Sequence, residues 1–328
     1  MFHMFKKVAV IAIGDNSISK DPKQKFIENQ YLVHKEACYQ IADMIELGWD
    51  VAICNGKCLQ IGSNLSHFEI TGKEEGIFEI PLDVCNAERQ GVIGYNMEQN
   101  LQAEFARRRL NKDVATVITQ VTVNKDDPAF SKSSNPIGSF MDKDEAKKCQ
   151  TELGWRILED ANRGWRRVVS APFPRKIVEL ASVKKLIKAG VVVITIGGGG
   201  IPVIEEEPGI YKGVAAVIDK DFASSLLARS LRADLLVIST AVEKVALNFG
   251  KPNQKWLDRI TLSEAKKFLH EGTHFTQGSM APKIQAIIWF LEAGGNEALI
   301  TNIENIGNAL KHETGTWFVQ DEIIPFPY

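Results

Sequence analysis

Continuous apolar runs alternate along the chain with amphipathic stretches. The first apolar run, Val8–Ile13, is followed by glycine and polar residues, and a second occupies residues 51–54. Between them, residues 24–47 carry apolar side chains three and four positions apart, which predicts a helix. Strand, helix and strand in this order are typical of a parallel sheet.

The same alternation continues toward the C-terminal part of the chain. Further helices are predicted at residues 82–107, 221–231 and 282–293, and further strands at 114–123, 191–196, 235–240 and 298–301. Because these strands are apolar throughout rather than alternating, we expect an α/β fold whose mainly parallel sheet is covered on both faces. The functional loops of such a sheet lie at the carboxyl ends of its strands.

Residues 125–170 interrupt this alternation. The segment is rich in charged residues and in Pro, Gly, Ser and Asn, and it contains no long apolar period. A structureless loop of this length is uncommon within a compact domain. We therefore predict one domain over residues 1–328, in which residues 125–170 form a small subdomain that protrudes from the sheet.

Composition and charge exclude several classes of partner. Hydrophobic residues make up 45% and charged residues 24% of the chain, which is typical of a globular protein. The 39 Lys and Arg nearly balance the 41 Asp and Glu, which argues against general binding of nucleic acid or anionic membranes. No apolar run approaches the ~18 residues of a spanning helix. We expect no nucleic-acid partner and no membrane.

The cysteines and the N-terminal residues indicate a cytoplasmic protein. The five cysteines include no C-x-x-C pair, and an odd number fits reduced thiols. No histidine lies at ligand spacing from Cys54, Cys58 and Cys85, so we predict separate thiols and no metal site. A charged segment follows the first apolar run, which favours a buried strand over a signal peptide.

Glycines follow three of the predicted strands, at Gly14, at Gly56 with Gly62, and at residues 197–200. Glycine lets backbone N–H groups approach an anion closely, and a following helix N-terminus adds a favourable dipole. None of the three matches the dinucleotide fingerprint or the P-loop. Because all three are expected at one edge of the sheet, they predict a phosphate-binding site.

Two lysines are placed where they could contribute to such a site. Lys220 lies between Asp219 and Asp221 at the junction of a strand and a helix, and Lys283 opens a later helix. A lysine held between carboxylates stays charged, which suits a cation that bridges transferred phosphoryl oxygens. Spacing alone does not distinguish this arrangement from two solvated surface lysines.

Ten short stretches show that the chain resembles the carbamate kinases of the amino acid kinase superfamily over nearly its whole length. They are PLDVC (81–85), QGVIGY (90–95), DPAF (127–130), NPIG (135–138), EDA (159–161), RGW (163–165), GGGIP (198–202), VIDKD (217–221), NFGKP (248–252) and GSM (278–280). The resemblance implies a three-layer α/β/α sandwich, a homodimer, and reversible phosphoryl transfer between carbamoyl phosphate and ADP. The products would be ATP and carbamate, with Mg²⁺ carried on the ATP or ADP.

The resemblance also assigns site residues. It implies that Lys220 and Lys283 contact the transferred phosphate and that Asp221 orients them, while Gly198 and Gly199 line the phosphate path. The residues implied to bind the nucleotide are Asp219, Thr240, Ala241, Val242, Asn248, Phe249, Gly278, Ser279, Met280 and Pro282.

The chain departs from the family in the two N-terminal loops implied to bind the small substrate. Where the family reads Gly-Gly-Asn-Ala, this chain has Gly14, Asp15, Asn16 and Ser17. Where the family reads Gly-Asn-Gly-Pro-Gln, it has Gly56, Lys57, Cys58, Leu59 and Gln60. Each loop has exchanged a glycine for a residue with a side chain, which fills space beside the backbone.

We hypothesise that Asp15 and Lys57 form a salt bridge that reshapes the substrate pocket; the alternative is that both side chains point to solvent.

Two further functions therefore remain open from the sequence. One is a kinase of the same fold that acts on another small acid or amide, with Lys57 binding its anionic group. The other is a non-catalytic homologue that binds nucleotide.

Overall fold

The computed structural model describes residues 7–14, 27–56, 80–133, 135–159, 164–276 and 278–321, leaving aside the side chains of residues 27–33 and of Ser139. The helices are α1 (Ile27–Glu46), α2 (Leu82–Arg108), α3 (Lys143–Leu153), α4 (Leu180–Lys188), α5 (Lys220–Leu231), α6 (Leu262–Glu271), α7 (Met280–Glu292) and α8 (Ile306–Leu310). Short 3₁₀ turns occur at Pro128–Phe130, Gly197–Gly199 and Ile303–Asn305.

The strands belong to four sheets. They are β1 (Val8–Ile13), β2 (Asp50–Asn55), β3 (Val114–Thr116), β4 (Gln120–Val123), β5 (Asn135–Met141), β6 (Ile157–Glu159), β7 (Trp165–Val169), β8 (Pro174–Ile177), β9 (Val192–Ile194), β10 (Ile201–Glu207), β11 (Ile210–Gly213), β12 (Leu235–Ser239), β13 (Val245–Leu247), β14 (Lys255–Leu257), β15 (Arg259–Thr261), β16 (Glu297–Thr301) and β17 (Thr316–Val319).

The largest sheet has eight strands in the order β15-β17-β16-β12-β1-β2-β9-β3. All its pairs are parallel except β16 with β17. Val10 and Ala12 of β1 belong to an apolar cluster shared with α4, α5, α6 and α7, whereas Ala9 and Ile11 belong to one shared with α1, α2 and α8. Helices cover both faces, which explains the continuous apolar strands and confirms the predicted α/β/α sandwich.

The predicted strand 114–123 is wrong in one respect, because it is two strands in different sheets. β3 is the edge of the main sheet, whereas β4 lies in a four-stranded sheet of order β11-β10-β4-β8. The chain leaves the first sheet at residues 117–119, where buried Thr119 is held by a hydrogen bond from its N–H to the Gln90 side chain. A run of β-branched residues carries no signal for such a change of sheet.

Within residues 125–170, the described part forms a three-stranded antiparallel sheet of order β5-β7-β6, together with α3. Met141, Ala146, Cys149 and Trp155 give this region an apolar cluster separate from those of the main sheet. The limits of the subdomain, and the single domain over 1–328, stay predictions.

Most other element limits agree with the sequence within a few residues. The helices predicted to begin at residues 221 and 282 begin one and two residues earlier, at Lys220 and Met280. Both shifts place residues of the candidate site inside the first turn of a helix. None of the described helices combines the length and apolar character needed to cross a membrane.

Candidate functional site

A cluster of two lysines and one carboxylate forms where α5 and α7 begin. The side chain of Asp219 caps α5 by accepting the Asp221 N–H at 2.8 Å, which fixes Lys220 and Asp221 as the first two residues of the helix. The two Asp221 oxygens then accept different lysines: Oδ1 accepts Lys220 Nζ and Oδ2 accepts Lys283 Nζ, each at 2.7 Å. Two helix starts that are far apart in the chain therefore share one carboxylate.

The cluster is buried and carries excess positive charge. The side chains of Lys220, Asp221 and Lys283 are 9%, 5% and 15% exposed. Burial alone would raise the pKa of Asp221, but the two lysine ammonium groups outweigh it and hold this pKa well below its usual value. Asp221 therefore stays ionised, and its single charge is exceeded by that of the two lysines. The carboxylate of Asp219 caps α5, whereas the N-terminus of α7, beside Lys283, has no side-chain cap. This arrangement favours anion binding.

The glycine run 197–200 packs directly against the segment that leads into Lys220. A Cβ added at Gly199, whose φ is +95°, would lie 2.2 Å from the carbonyl oxygen of Ile218. The run is entered through Ile196, a fully buried β-branched residue in the left-handed region at φ 52°. Such a conformation costs about 1–3 kcal/mol and persists only where the surroundings impose it.

Two polar side chains hold this strained turn. Thr119 Oγ1 accepts the Ile196 N–H at 3.2 Å and lies 2.7 Å from Thr195 Oγ1. Gln90 of α2 is buried and donates from Nε2 to the carbonyl oxygens of Thr119 and Gly197, both at 3.1 Å. The loop position is therefore determined by α2 as well as by its own strand.

The two N-terminal glycines lie side by side. β1 and β2 are parallel neighbours with Ile13 opposite Asn55, so Gly14 and Gly56 follow at the same edge of the sheet, and both are buried. The other residues predicted for the small substrate, Asp15, Asn16, Lys57 and Cys58, lie outside the described residues. The proposed Asp15–Lys57 salt bridge stays a hypothesis.

Sequence reasoning missed two residues of α2. One is Gln90, described above, and the other is Arg89, whose Nη2 donates to the carbonyl oxygen of Gly56. Arg89 also reaches the glycine run, since a Cβ added at Gly198 would lie 3.6 Å from its Nη1. The sequence did contain a signal for Gln90. By helical spacing, the amides of Asn86 and Gln90 share a face with the apolar residues Leu82 and Ile93, and polar side chains on such a face need hydrogen-bond partners.

The residues implied to bind nucleotide lie around the end of β12 and the start of α7. Thr240, directly after β12, is buried and donates its N–H to Thr301 O at 2.9 Å, whereas Ala241 is exposed. Val242 is half-buried, and Asp219 is the cap of α5 described above. Gly278 and Ser279 are exposed and precede Met280 and Pro282 in the first turn of α7, next to Lys283.

The hairpin of β13 and β14 adds the remaining two residues of this set. Asn248 adopts φ 55°, and its Oδ1 lies 3.0 Å from Nδ1 of His274, which connects the hairpin to the segment before α7. Phe249 is 59% exposed beside Trp256, with ring centroids 6.1 Å apart. The hairpin therefore presents an aromatic surface to solvent.

Comparison with known proteins agrees with this geometry. The profile of the amino acid kinase family matches residues 7–302. The carbamate kinase of Thermococcus kodakarensis is 44% identical over 96% of this chain and all of its own length. The chain belongs to the carbamate kinase family. The carbamate kinase-like protein YahI of Escherichia coli is 45% identical over 96% of this chain and 99% of its own.

A solved structure supports the same fold. The carbamate kinase from Giardia lamblia, bound to AMP-PNP, superposes with a TM-score of 0.88 at 36% identity, covering 97% of this chain and 99% of that one. The family and the α/β fold predicted from the sequence are therefore confirmed. The roles of individual residues in this carbamate kinase-type chain stay predictions.

The described residues offer no protein ligand set for a metal ion. None of them form a group of three His, Cys, Asp or Glu side chains that could hold one. Asp221 already accepts both lysines, so it is poorly suited to bind Mg²⁺. Cys54 is buried at the end of β2, where burial raises its pKa to about 12 although Lys220 lies nearby. A neutral thiol of this kind is a poor metal ligand.

Proposed function

We propose that this member of the carbamate kinase family catalyses reversible phosphoryl transfer between carbamoyl phosphate and ADP, giving ATP and carbamate. The observation that carries the proposal is the pair of lysines held on Asp221 at the starts of α5 and α7. Phosphoryl transfer depends on positioning and on neutralising the charge of the phosphoryl oxygens, and this cluster supplies both.

In the proposed reaction, the bond from phosphorus to the carbamate oxygen breaks, and a bond to a terminal oxygen of ADP forms. The electron pair of the broken bond stays on the departing carbamate, so no proton has to move. Lys220 and Lys283 contact oxygens of the transferred group, and Asp221 keeps their ammonium groups in place. Its lowered pKa makes Asp221 an orienting group rather than a general base. Gly198 and Gly199 line the path of the phosphoryl group.

Magnesium neutralises phosphate charge and orients phosphate oxygens in reactions of this type. Because the described residues provide no carboxylate cluster for it, we expect the ion to be carried by the phosphates of the nucleotide. The adenine nucleotide itself would lie between the β12 end, the β13–β14 hairpin and the 278–282 segment. The set is Asp219, Thr240, Ala241, Val242, Asn248, Phe249, Gly278, Ser279, Met280 and Pro282.

A homodimer in the cytoplasm is part of the proposal. Val84, Val92 and Tyr95 are 43%, 62% and 63% exposed and share one face of α2 by helical spacing. Large apolar side chains grouped on one face are typical of a surface that another subunit covers. Sedimentation analysis of the wild type beside Tyr95→Glu tests this, because a carboxylate at such a contact favours the monomer.

Another small acid is a second candidate substrate. The observation that favours it is that Asp15 and Cys58 stand where the family has glycine, which places side chains beside the backbone of both substrate loops. Lys57 would bind the anionic group of such an acid. Under this alternative the phosphate chemistry at Asp221 is unchanged, and only the small substrate differs.

The experiment is ATP formation from carbamoyl phosphate and ADP-Mg²⁺, with spontaneous breakdown of carbamoyl phosphate subtracted. Wild-type protein is compared with Lys220→Ala and with Lys266→Ala, a half-exposed lysine that pairs with Glu292. We expect turnover in the wild type and in Lys266→Ala but not in Lys220→Ala. Absence of turnover in wild-type protein that still binds ADP would reject carbamoyl phosphate as the substrate.

A further inference from the structure

The tip of the β13–β14 hairpin is joined to the segment that precedes α7. His274 lies between them, with its Nδ1 3.0 Å from Oδ1 of Asn248 in the hairpin and its Nε2 2.6 Å from Oε2 of Glu271, the last residue of α6. Lys251 Nζ makes a second link by donating to the carbonyl oxygen of Thr273 at 3.2 Å. The hairpin tip is therefore held at two points by the chain that leads into α7.

The base of the hairpin is anchored in the core, whereas its tip is exposed. Val245 and Leu257 are buried, and the Val245 N–H donates to Thr316 Oγ1 at 2.8 Å. Residues 249–253, by contrast, are exposed. Because a sheet of two strands gains little stability by itself, the position of the tip depends on contacts such as the one at Asn248.

On its other side, the same segment fixes the start of α7. Phe275 is buried in the apolar cluster that includes residues of α7. The carbonyl oxygen of Thr276 accepts three N–H groups at 3.0–3.2 Å, those of Ser279, Met280 and Ala281. The ring of His274 is thus attached to the backbone just before the carbonyl group that holds the first turn of α7.

The hairpin and the start of α7 carry different parts of the nucleotide set implied by the family resemblance. Asn248 and Phe249 lie on the hairpin, whereas Met280 and Pro282 lie in the first turn of α7. When the two sides of a binding site are already held in place, less of the interaction energy is spent on ordering them. A residue that joins the two sides therefore affects affinity without touching the ligand.

We propose that His274 is a positioning residue that holds the hairpin against the start of α7 and so sets the two sides of the nucleotide site before ADP or ATP binds. This inference rests on the proposed function for the place of the nucleotide. Asn248 is the partner that carries the role, because it lies on the other side of the site. The contact with Glu271 spans only three residues of the chain and contributes to local stability instead.

The two ring nitrogens can be tested separately. The amide of an asparagine side chain lies about where Nδ1 of a histidine lies, and the amide of a glutamine about where Nε2 lies. His274→Asn therefore keeps a partner for Asn248 and loses the one for Glu271, whereas His274→Gln does the reverse. If His274 positions the hairpin, the Gln variant is the more harmful to nucleotide binding. If it acts only on local stability, the Asn variant is.

Calorimetric titration with ADP-Mg²⁺ and with AMP-PNP-Mg²⁺ measures Kd for wild type, His274→Asn, His274→Gln and His270→Gln. His270 is the matched control, because it is an exposed histidine in the last turn of α6. We expect Kd to rise about tenfold in His274→Gln and less than about threefold in His274→Asn and His270→Gln. Equal Kd in wild type and His274→Gln, or a larger loss in His274→Asn than in His274→Gln, would overturn the proposal.

A second variant approaches the same contact from the hairpin. Asn248→Gly removes the side chain and tolerates the φ of 55° at this position. In this background, His274→Gln should weaken binding by less than about twofold, because its partner is already absent. A further tenfold loss in the double variant would mean that His274 does not act through Asn248.

Binding is measured without turnover, which keeps the proposal separate from the identity of the reaction. If the wild type forms no ATP from carbamoyl phosphate but binds ADP, and His274→Gln weakens this binding as expected, His274 keeps its role and only the reaction is wrong. If turnover is found, His274→Gln should raise KM for ADP about tenfold and leave KM for carbamoyl phosphate unchanged within about twofold. A wild type that binds neither ADP nor AMP-PNP would overturn the positioning role together with the nucleotide site.

Discussion

The two ends of the candidate site are built in different ways. The phosphate end depends on charge: three side chains in the first turns of two helices are joined by two hydrogen bonds of 2.7 Å. The acceptor end, where the small substrate would bind, depends on shape. There the loops at Gly56 and at residues 197–200 lie against each other and against Arg89 of α2. Under the proposed function, the first end is tied to phosphate chemistry, whereas a few side chains at the second end could change the substrate.

The largest effects are expected at the phosphate end. Lys220→Ala and Lys283→Ala should each lower kcat/KM by about a thousandfold, because each removes a cation that neutralises transition-state charge. Steady-state ATP formation measures this. Lys266→Ala should behave as the wild type. A loss of less than tenfold in both variants would mean that the transferred phosphate lies elsewhere.

Asp221→Asn should lower kcat by about a hundredfold while ADP binding is retained or strengthened. The lysines lose their anchor, but the site gains positive charge. Because a buried ion pair is broken, we also expect a loss of about 3 kcal/mol in the free energy of unfolding. Urea unfolding and calorimetry test both effects. Weaker ADP binding would contradict the excess positive charge assigned to this cluster.

The same variant gives a pH prediction. The pKa of Asp221 is depressed in the folded protein, so its contribution to stability is present above the unfolded-state value near 3.8 and is lost as pH falls toward the folded value near 2. The stability difference between wild type and Asp221→Asn should therefore be constant from about pH 8 to pH 5 and shrink below about pH 4. Urea unfolding across this range checks it. A difference that shrinks already near neutral pH would contradict the assignment.

A smaller effect is expected where the two ends meet. Gly199→Ala combines φ +95° with a contact of 2.2 Å to Ile218 O, so it should cost about 3 kcal/mol of stability and displace Lys220. Gly209→Ala is the matched control, because φ there is +82° but no atom lies within 4 Å. Chemical unfolding and kcat measure the two effects. Equal stability losses would mean that the Ile218 contact has no consequence.

The smallest effects concern the helix that carries Arg89. A Cβ at Gly94 would lie 2.3 Å from Thr116 Cγ2, whereas a Cβ at Gly91 meets no atom within 4 Å. Gly94→Ala should therefore destabilise by about 1–3 kcal/mol, and Gly91→Ala should stabilise by up to about 1 kcal/mol. Melting temperatures of the two variants test the pair. A stable Gly94→Ala would indicate that α2 can move away from β3.

Apolar patterning identified the central strands and long helices because β1, β2 and β12 are buried on both faces. The same pattern could not reveal that the chain changes sheet at Thr119. Lys220 and Asp221 were predicted at a strand–helix junction; the helix is confirmed, but residues 214–219 before it form no strand and only an isolated bridge at Ala216. Their partner Lys283 lies 62 residues beyond Asp221, so its role came from the family resemblance rather than from spacing.

Arg89 was missed for a related reason. Its place in the site depends on how α2 lies across the glycine loops, and that is set by tertiary packing. On the helix itself, Arg89 is one of many charged residues, and nothing in its neighbours along the chain distinguishes it. Features of the acceptor end therefore become visible only when separate elements are placed together.

The most direct test of the account is a crystal structure of the protein with ADP and phosphonoacetamide. We expect the phosphonate oxygens within hydrogen-bond distance of Lys220 and Lys283 Nζ. A phosphonate bound away from both lysines would contradict the central claim.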